Sequence, residues 1–196
     1  GLEKVKYCIQ AKKFGKLYWD GPREYGYGGY KYDGRWKKLA LKLIETYKLD
    51  GNSKILDIGC GKGFLLFELQ KILGVKKIYG IEISKYAIQN SKKEVKKFIK
   101  HGNIKKIDYK NNFFDLTLVI NVLHNLEIKE LFKSIKEIER VSKKKYIVVD
   151  SYRNEKERIN LMSWQLTCNC FYNTKEWEWI FNLNNYSGDY SFIFYE

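Results

Sequence analysis

Asp57, Gly59, Gly61 and Gly63 fall at alternate positions in K-I-L-D-I-G-C-G-K-G, the stretch from Lys54 to Gly63. Glycine adopts backbone angles that other residues avoid and lets a ligand come close to the main chain. A helix that begins at such a turn directs unpaired N–H groups at whatever lies over it. An acid at the head of the turn adds acceptors to those donors, so the stretch can hold a polar ligand. Elsewhere Glu82, His124 and Asp150 could carry charge or a proton, and Tyr27, Tyr30, Tyr32 and Arg35 crowd one glycine-rich segment.

The elements that position the turn lie on either side of it. Lys54 to Ile58 is a short apolar run around Asp57, and Phe64 to Leu73 is a second, closed by Gly74. The order is strand, tight turn, helix. Two phosphate-binding patterns are not met. A dinucleotide site wants G-x-G-x-x-G, but Phe64 stands where its last glycine would be. A phosphate loop of the G-x-x-x-x-G-K-[ST] type would need Lys62 elsewhere. What remains, D-x-G-x-G-x-G, resembles the first motif of class I S-adenosylmethionine-dependent methyltransferases. On the turn alone, an ordinary strand-to-helix connection stays open beside that reading.

Asn112 to Leu126 is the second signal. Phe114-Asp115-Leu116 opens an apolar strand through Thr117 to Ile120, as expected of a parallel strand covered on both faces. Asn121 ends it and His124 follows in N-V-L-H-N-L. This resembles the fourth motif of the type 11 methyltransferases. The resemblance is strong over about 54–150 and weak elsewhere. It implies an α/β, Rossmann-like, doubly wound and mostly parallel sheet of six or seven strands, order 3-2-1-4-5-(7)-6, with helices on both faces. Only one obvious strand follows the last helix, so the terminal hairpin is read as incomplete. The resemblance also implies S-adenosylmethionine as cofactor, with S-adenosylhomocysteine as product.

With that cofactor in view, further residues take roles. Glu82 ends the second strand, Lys77 to Ile81, roughly 20 residues after the glycines, where an acid can take both ribose hydroxyls. Asp57, Gly59, Cys60 and Gly61 form the turn. Ile83 follows Glu82. Asn103 and Ile104 stand where the family often has Asp-Ala beside the adenine. Asn121 belongs near the methionine end. His124 and Asp150 are the candidate bases, each with a purely structural alternative.

The rest of the chain is read as supporting structure. Trp36, Leu39, Ala40, Leu43, Ile44 and Tyr47 form a helical stripe, so 18–50 is a loop and helix over the cofactor. Tyr27, Tyr30, Tyr32 and Arg35 are candidate acceptor ligands there. Ser84 caps a helix that turns Ala87, Ile88, Ser91, Val95 and Phe98 inward. The third strand lies within 98–103. Tyr146 to Val149 form the fifth strand, led in by Lys143 to Lys145. The stretch 151–172 is a lid-like insertion carrying Arg153, Arg158, Trp164 and Gln165. Asn173 and Glu176 make a capping box, and Tyr190 to Tyr195 a last strand.

The whole chain has 196 residues with one Pro and 15 Gly, which suits a single methyltransferase domain over 1–196. Its N-terminus shows no apolar signal core, no run is long enough to span a membrane, and its four cysteines make no disulfide framework. Gly1 in place of Met reads as a processed chain or a fragment. A cytoplasmic location is expected. Cys168-x-Cys170 lacks a second ligand pair, so no metal site is read. The net charge of +14 could attract nucleic acid, but the lysines are scattered in pairs along a chain also rich in Asn, Ile and Tyr. The expected activity is methyl transfer to a small polar acceptor, anionic or carbohydrate-like, on oxygen or nitrogen. An RNA methyltransferase and a non-catalytic cofactor-binding module are the alternatives.

Overall fold

The computed structural model describes residues 2–74 and 76–196. Among them, helices and strands alternate in the order α1 (Leu2–Ala11), α2 (Lys16–Asp20), a 3-10 turn (Arg23–Tyr25), α3 (Trp36–Tyr47), β1 (Ile55–Ile58), α4 (Phe64–Leu73), β2 (Ile78–Glu82), α5 (Lys85–Gln89), α6 (Lys93–Lys96), β3 (Ile99–His101), β4 (Phe114–Ile120), a 3-10 turn (Leu123–Asn125), α7 (Ile128–Val141), β5 (Ser142–Asp150), α8 (Glu155–Trp164), α9 (Thr174–Leu183) and β6 (Asp189–Ile193). The strand order is β3-β2-β1-β4-β5-β6. This is the Rossmann-like order expected from the sequence, with six strands. No helix among the described residues is long and apolar enough to cross a membrane.

The chain divides into two compact units, Gly1–Asn103 and Ile104–Glu196. In the first, β1 pairs with β2 and β2 with β3, all parallel. Every residue of β1 is buried, as a strand covered on both faces must be. Gly63 caps α4 at its start in the left-handed conformation, and Gly74 does the same at its end. The core between them gathers Cys60, Leu66, Ile78, Val95 and Ile99, with Phe67, Leu73, Ile88 and Phe98 against it. Ser84 caps α5 by accepting from Ala87 N–H.

One helix expected after Ser84 is two, α5 and α6. Ala87 and Val95 are buried as predicted, but the segment between them turns. Ser91 Oγ donates to the Ile88 carbonyl at 2.8 Å, and Lys92 N–H leaves the helix to bond the Lys62 carbonyl at 3.0 Å. A serine hydroxyl that captures a helix carbonyl competes with the next turn.

In the second unit, β5 pairs with β4 and β6 with β5, again parallel. β6 lies directly beside β5, so no returning hairpin strand separates them. β5 begins at Ser142, earlier than expected. Of its lysines, Lys143 and Lys144 are exposed, whereas Lys145 is buried and bonds Glu139 at 2.6 Å; Ser142 Oγ bonds Thr117 Oγ1 on β4 at 2.5 Å. Asn173 and Glu176 form the expected capping box, and Asn154 caps α8 through Glu157 N–H.

Candidate active site

The glycine turn is built by three left-handed residues, Gly59, Gly61 and Gly63, with φ of 72°, 55° and 73°. Gly59 N–H donates to the Ile81 carbonyl at 2.7 Å, tying the turn to β2. At Gly63 an added Cβ would lie 2.8 Å from Ile99 Cδ1 and 2.9 Å from Val95 Cγ2, so any other residue would have to displace these methyls and strain the positive φ. Cys60 supplies main chain to the turn and sends its sulfur into the core.

Two acids sit under this turn. Asp57 on β1 is buried, and burial, then the Glu82 charge, push its carboxyl up to about 8. Glu82, at the end of β2, accepts from Gly61 N–H at 2.7 Å through Oε2 and from Ser84 N–H at 2.8 Å through Oε1. Burial raises its pKa against those two bonds. The carboxylate therefore points at the turn and leaves lone pairs on both oxygens. Ile83, beside it, is exposed, and its carbonyl lies 3.1 Å from His101 Nε2. Asn103 is half-buried at the end of the same unit.

A strap from Phe14 to Tyr32 covers the turn. The Trp19 indole lies on Gly61, where an added Cβ would come within 2.9 Å of its ring. Its Nε1 donates to Ser84 Oγ at 2.9 Å and to the Phe14 carbonyl at 3.0 Å. Tyr27 stacks on Trp19 at 5.3 Å and Tyr30 stacks on Phe64 at 4.9 Å between centroids. Lys62, buried inside the turn, donates to both Asp20 oxygens and to the Tyr30 carbonyl. Tyr86 donates to Asp20 at 2.9 Å.

The predicted acceptor ligands of this unit are thus brought to one place but differently employed. Tyr27 and Tyr30 join the aromatic stack, and burial pushes the Tyr30 phenol far up. Tyr32 donates to the buried Glu68, whose Oε2 has no partner. Arg35 is paired with Asp33 and exposed. Sequence reasoning missed Trp19, Asp20 and Glu68. The signal available for them was weak: Trp19-Asp20 precedes the tyrosine-rich stretch, and Lys62 is an odd residue inside a glycine turn.

In the second unit, Ile104 is buried and Asn121 follows β4 in the left-handed conformation, φ 58°. Asn121 N–H bonds the Val148 carbonyl at 2.9 Å, while its Oδ1 is buried without a partner. His124 is buried and meets Asp150 twice. Its Nδ1 accepts from Asp150 N–H at 3.1 Å, which places its proton on Nε2, 3.6 Å from Asp150 Oδ2. Burial lowers the pKa of His124 against the pull of Asp150, so the ring is held neutral. The His124 carbonyl accepts from Asn169 and Cys170 N–H.

Asp150 receives further donors on one oxygen. Gln165 Nε2 and Tyr195 OH both donate to Oδ2, while Oδ1 is buried with no partner. Its carbonyl accepts from Trp177 Nε1 at 3.2 Å. Arg153 bonds Glu157 and Glu196 and lies over the Phe194 ring. Gln165 joins this cluster from the expected lid segment and Tyr195 from beyond β6, 15 and 45 positions from Asp150, and no local motif marks these contacts or that of Asn169.

Known proteins share parts of this chain. An uncharacterized RNA methyltransferase of Bacillus cereus is 45% identical over 58 residues, 29% of this chain and 12% of that protein. A protein-lysine N-methyltransferase of Saccharolobus islandicus is 25% identical over 101 residues, 50% of this chain and 62% of that protein. The chain thus covers less than two thirds of either relative. Geranyl diphosphate C-methyltransferase of Streptomyces coelicolor, solved with Mg2+, geranyl diphosphate and S-adenosyl-L-homocysteine, superimposes with a TM-score of 0.60 at 13% identity, over 75% of this chain and 60% of that one. That likeness is one of fold. A family model described as a methyltransferase domain matches residues 49–188, from just before β1 to just before β6, and the chain belongs to that methyltransferase family.

Proposed function

We propose that this protein transfers a methyl group from S-adenosylmethionine to a small polar acceptor. The observation that carries the reading is the bond from Gly61 N–H to Glu82 Oε2. It brings a carboxylate with free lone pairs against a left-handed glycine turn, the donor and acceptor set that a nucleoside with ribose hydroxyls needs. In the first unit the reading assigns Asp57, Gly59, Cys60, Gly61, Glu82, Ile83 and Asn103 to the cofactor. In the second it assigns Ile104 and Asn121, whose orphaned Oδ1 suits the methionine ammonium. When bound, the cofactor supplies a methyl group already activated on a sulfonium.

The protein's own work is then to cover, orient and move a proton. Trp19 and Tyr27 exclude water from the turn, and admission of the nucleoside requires the indole to shift from Gly61. Both His124 nitrogens face Asp150, so His124 orients that carboxylate, and Asp150 is the group free to accept a proton from the acceptor. Tyr27, Tyr30, Tyr32, Arg35 and Arg153 remain assigned to the acceptor's surroundings. The domain is read as one over 1–196, with 18–50 over the cofactor and 151–172 as a lid.

The test is calorimetry with S-adenosylhomocysteine on wild type and Glu82→Ala. Wild type binds; the variant loses affinity by roughly 1.5–3 kcal/mol, the worth of charged hydrogen bonds. Absence of binding to the wild type rejects the reading. A second reading, methylation of RNA, is favoured by the 58-residue match to an RNA methyltransferase and by the +14 charge. It requires RNA binding whose affinity falls steeply with salt.

A further inference from the structure

Asp150 is a carboxylate closed off from water with one oxygen unused. It is 1% exposed. Oδ2 receives the Gln165 amide and the Tyr195 hydroxyl, and His124 Nε2 lies 3.6 Å from it. Each of these donors is neutral. Oδ1 has none. The arginines that follow Asp150 in the chain pair elsewhere: Arg153 with Glu157 and Glu196, and Arg158 with Glu155. An ionised carboxylate removed from water without a counter-charge is costly, and a buried acceptor without a donor calls for one.

The group is also held still. Its own N–H is bound by His124 Nδ1 and its carbonyl by Trp177 Nε1. One more buried acceptor at the same end of the β4–β5 pair, Asn125 Oδ1, lacks a donor, beside Asn121 Oδ1, which is assigned above to the methionine ammonium. Among the described residues no lysine or arginine pairs with Asp150, so its fixed acceptor suits a protonated amine, which brings several N–H donors and a positive charge.

Resting on the methyl-transfer reading above, we infer that the acceptor is an amine, and that its ammonium is received by Asp150 Oδ1 with Gln165 and Tyr195 holding Oδ2. The same oxygen takes the proton that the ammonium must lose: the N–H bond breaks, its electron pair stays on nitrogen, and a neutral amine and a neutral carboxyl result. The chemistry that Oδ1 recognises could also come from the ammonium of the cofactor's methionine, and the experiment separates the two.

The experiment is an NMR titration of the full chain, following the His124 ring and the Ser151 amide, with n-butylammonium chloride and with n-butanol. The ammonium moves both signals saturably and binds at least about tenfold more tightly than the alcohol; Asp150→Asn abolishes the difference and leaves the S-adenosylhomocysteine affinity of the wild type unchanged. Equal response to ammonium and alcohol overturns the proposal. So does a protonated Asp150 carboxyl at neutral pH in carbon-detected spectra. Loss of S-adenosylhomocysteine affinity in Asp150→Asn assigns the oxygen to the cofactor and likewise overturns it. If the variant does not fold, the comparison of the two probes on the wild type decides. Failure of the wild type to bind S-adenosylhomocysteine is a separate result and counts against the methyl-transfer reading itself.

Discussion

Lys62, a residue of the glycine turn, donates to both carboxylate oxygens of Asp20 at 2.7 Å each, across 42 positions of sequence. The turn therefore holds its own cover. The same ammonium bonds the Tyr30 carbonyl at 2.8 Å, so one buried charge holds at two points the strap that carries Trp19 and Tyr27.

Lys62→Met should release that strap. The lysine is nearly buried and Asp20 about a quarter exposed, so the loss falls below that of a fully buried pair, at about 1–3 kcal/mol. Burial pushes the Asp20 carboxyl up, but Lys62 and Tyr86 outweigh it and its pKa is lowered. A lowered acid stabilises the fold above its unfolded pKa, and that contribution is lost as pH falls through the folded value. Limited proteolysis within residues 14–32 should thus accelerate in Lys62→Met at neutral pH, and in the wild type only in acid, below the ordinary carboxylate range. Equal protection of variant and wild type at neutral pH would show that Lys62 does not hold the strap.

How much of this was visible in the sequence depends on the distance over which each feature acts. The strand, turn and helix around Gly59 to Gly63 and the acid at Glu82 could be read because each rests on neighbours within one βαβ unit. The same holds for the Asn173 capping box. Trp19 over Gly61 and Tyr195 on Asp150 could not, since each joins segments that share no local period. The break between α5 and α6 was hidden for another reason: Ala87 and Val95 keep a helical apolar rhythm, while the event that ends the helix is Lys92 N–H turning to the Lys62 carbonyl. The early start of β5 was masked by lysines, one of which is buried against Glu139.

Gly61→Ala tests the contact of the indole with the turn. At φ 55° an alanine is strained by roughly 1–2 kcal/mol, and its methyl would meet the Trp19 ring at 2.9 Å. The fold should survive with the indole displaced, seen as a red-shifted tryptophan emission. In a double-mutant cycle, Trp19→Leu should recover part of the loss, because the leucine side chain does not reach as far as the indole; strict additivity would mean that the two residues do not touch.

Asp57→Asn should stabilise the ligand-free protein in mild alkali. Burial, then the charge of Glu82, raise the Asp57 carboxyl to about 8. A raised folded pKa favours the fold while the group is protonated, and that advantage disappears as pH rises from the unfolded value of about 4 through about 8. Chemical denaturation of the wild type at pH 9 should therefore show lower stability than at pH 6. Asn carries no charge and should flatten the dependence, gaining about 2–4 kcal/mol at pH 9 relative to wild type. A variant that is less stable than wild type at pH 9 would mean that Asp57 is ionised and satisfied in the ligand-free fold.

His124→Gln bears on whether the imidazole orients Asp150 or takes the proton itself. Its Nδ1 accepts from Asp150 N–H, and a glutamine carbonyl can accept a hydrogen bond in the same way. Burial depresses the His124 pKa, so the neutral ring stabilises the fold above the unfolded value of about 6.5, and that contribution fades as pH drops through the folded value. Glutamine has no such titration. The variant should accordingly lose the part of the acid sensitivity that sets in below about pH 6.5, while keeping much of the wild-type stability at neutral pH. If the histidine only orients Asp150, turnover in His124→Gln should fall by about tenfold or less with the shape of its pH profile set by the carboxylate. If the imidazole were the proton acceptor, turnover should fall by the 10²–10⁴ typical of a missing general base, and that result would move the proposed catalytic role from Asp150 to His124.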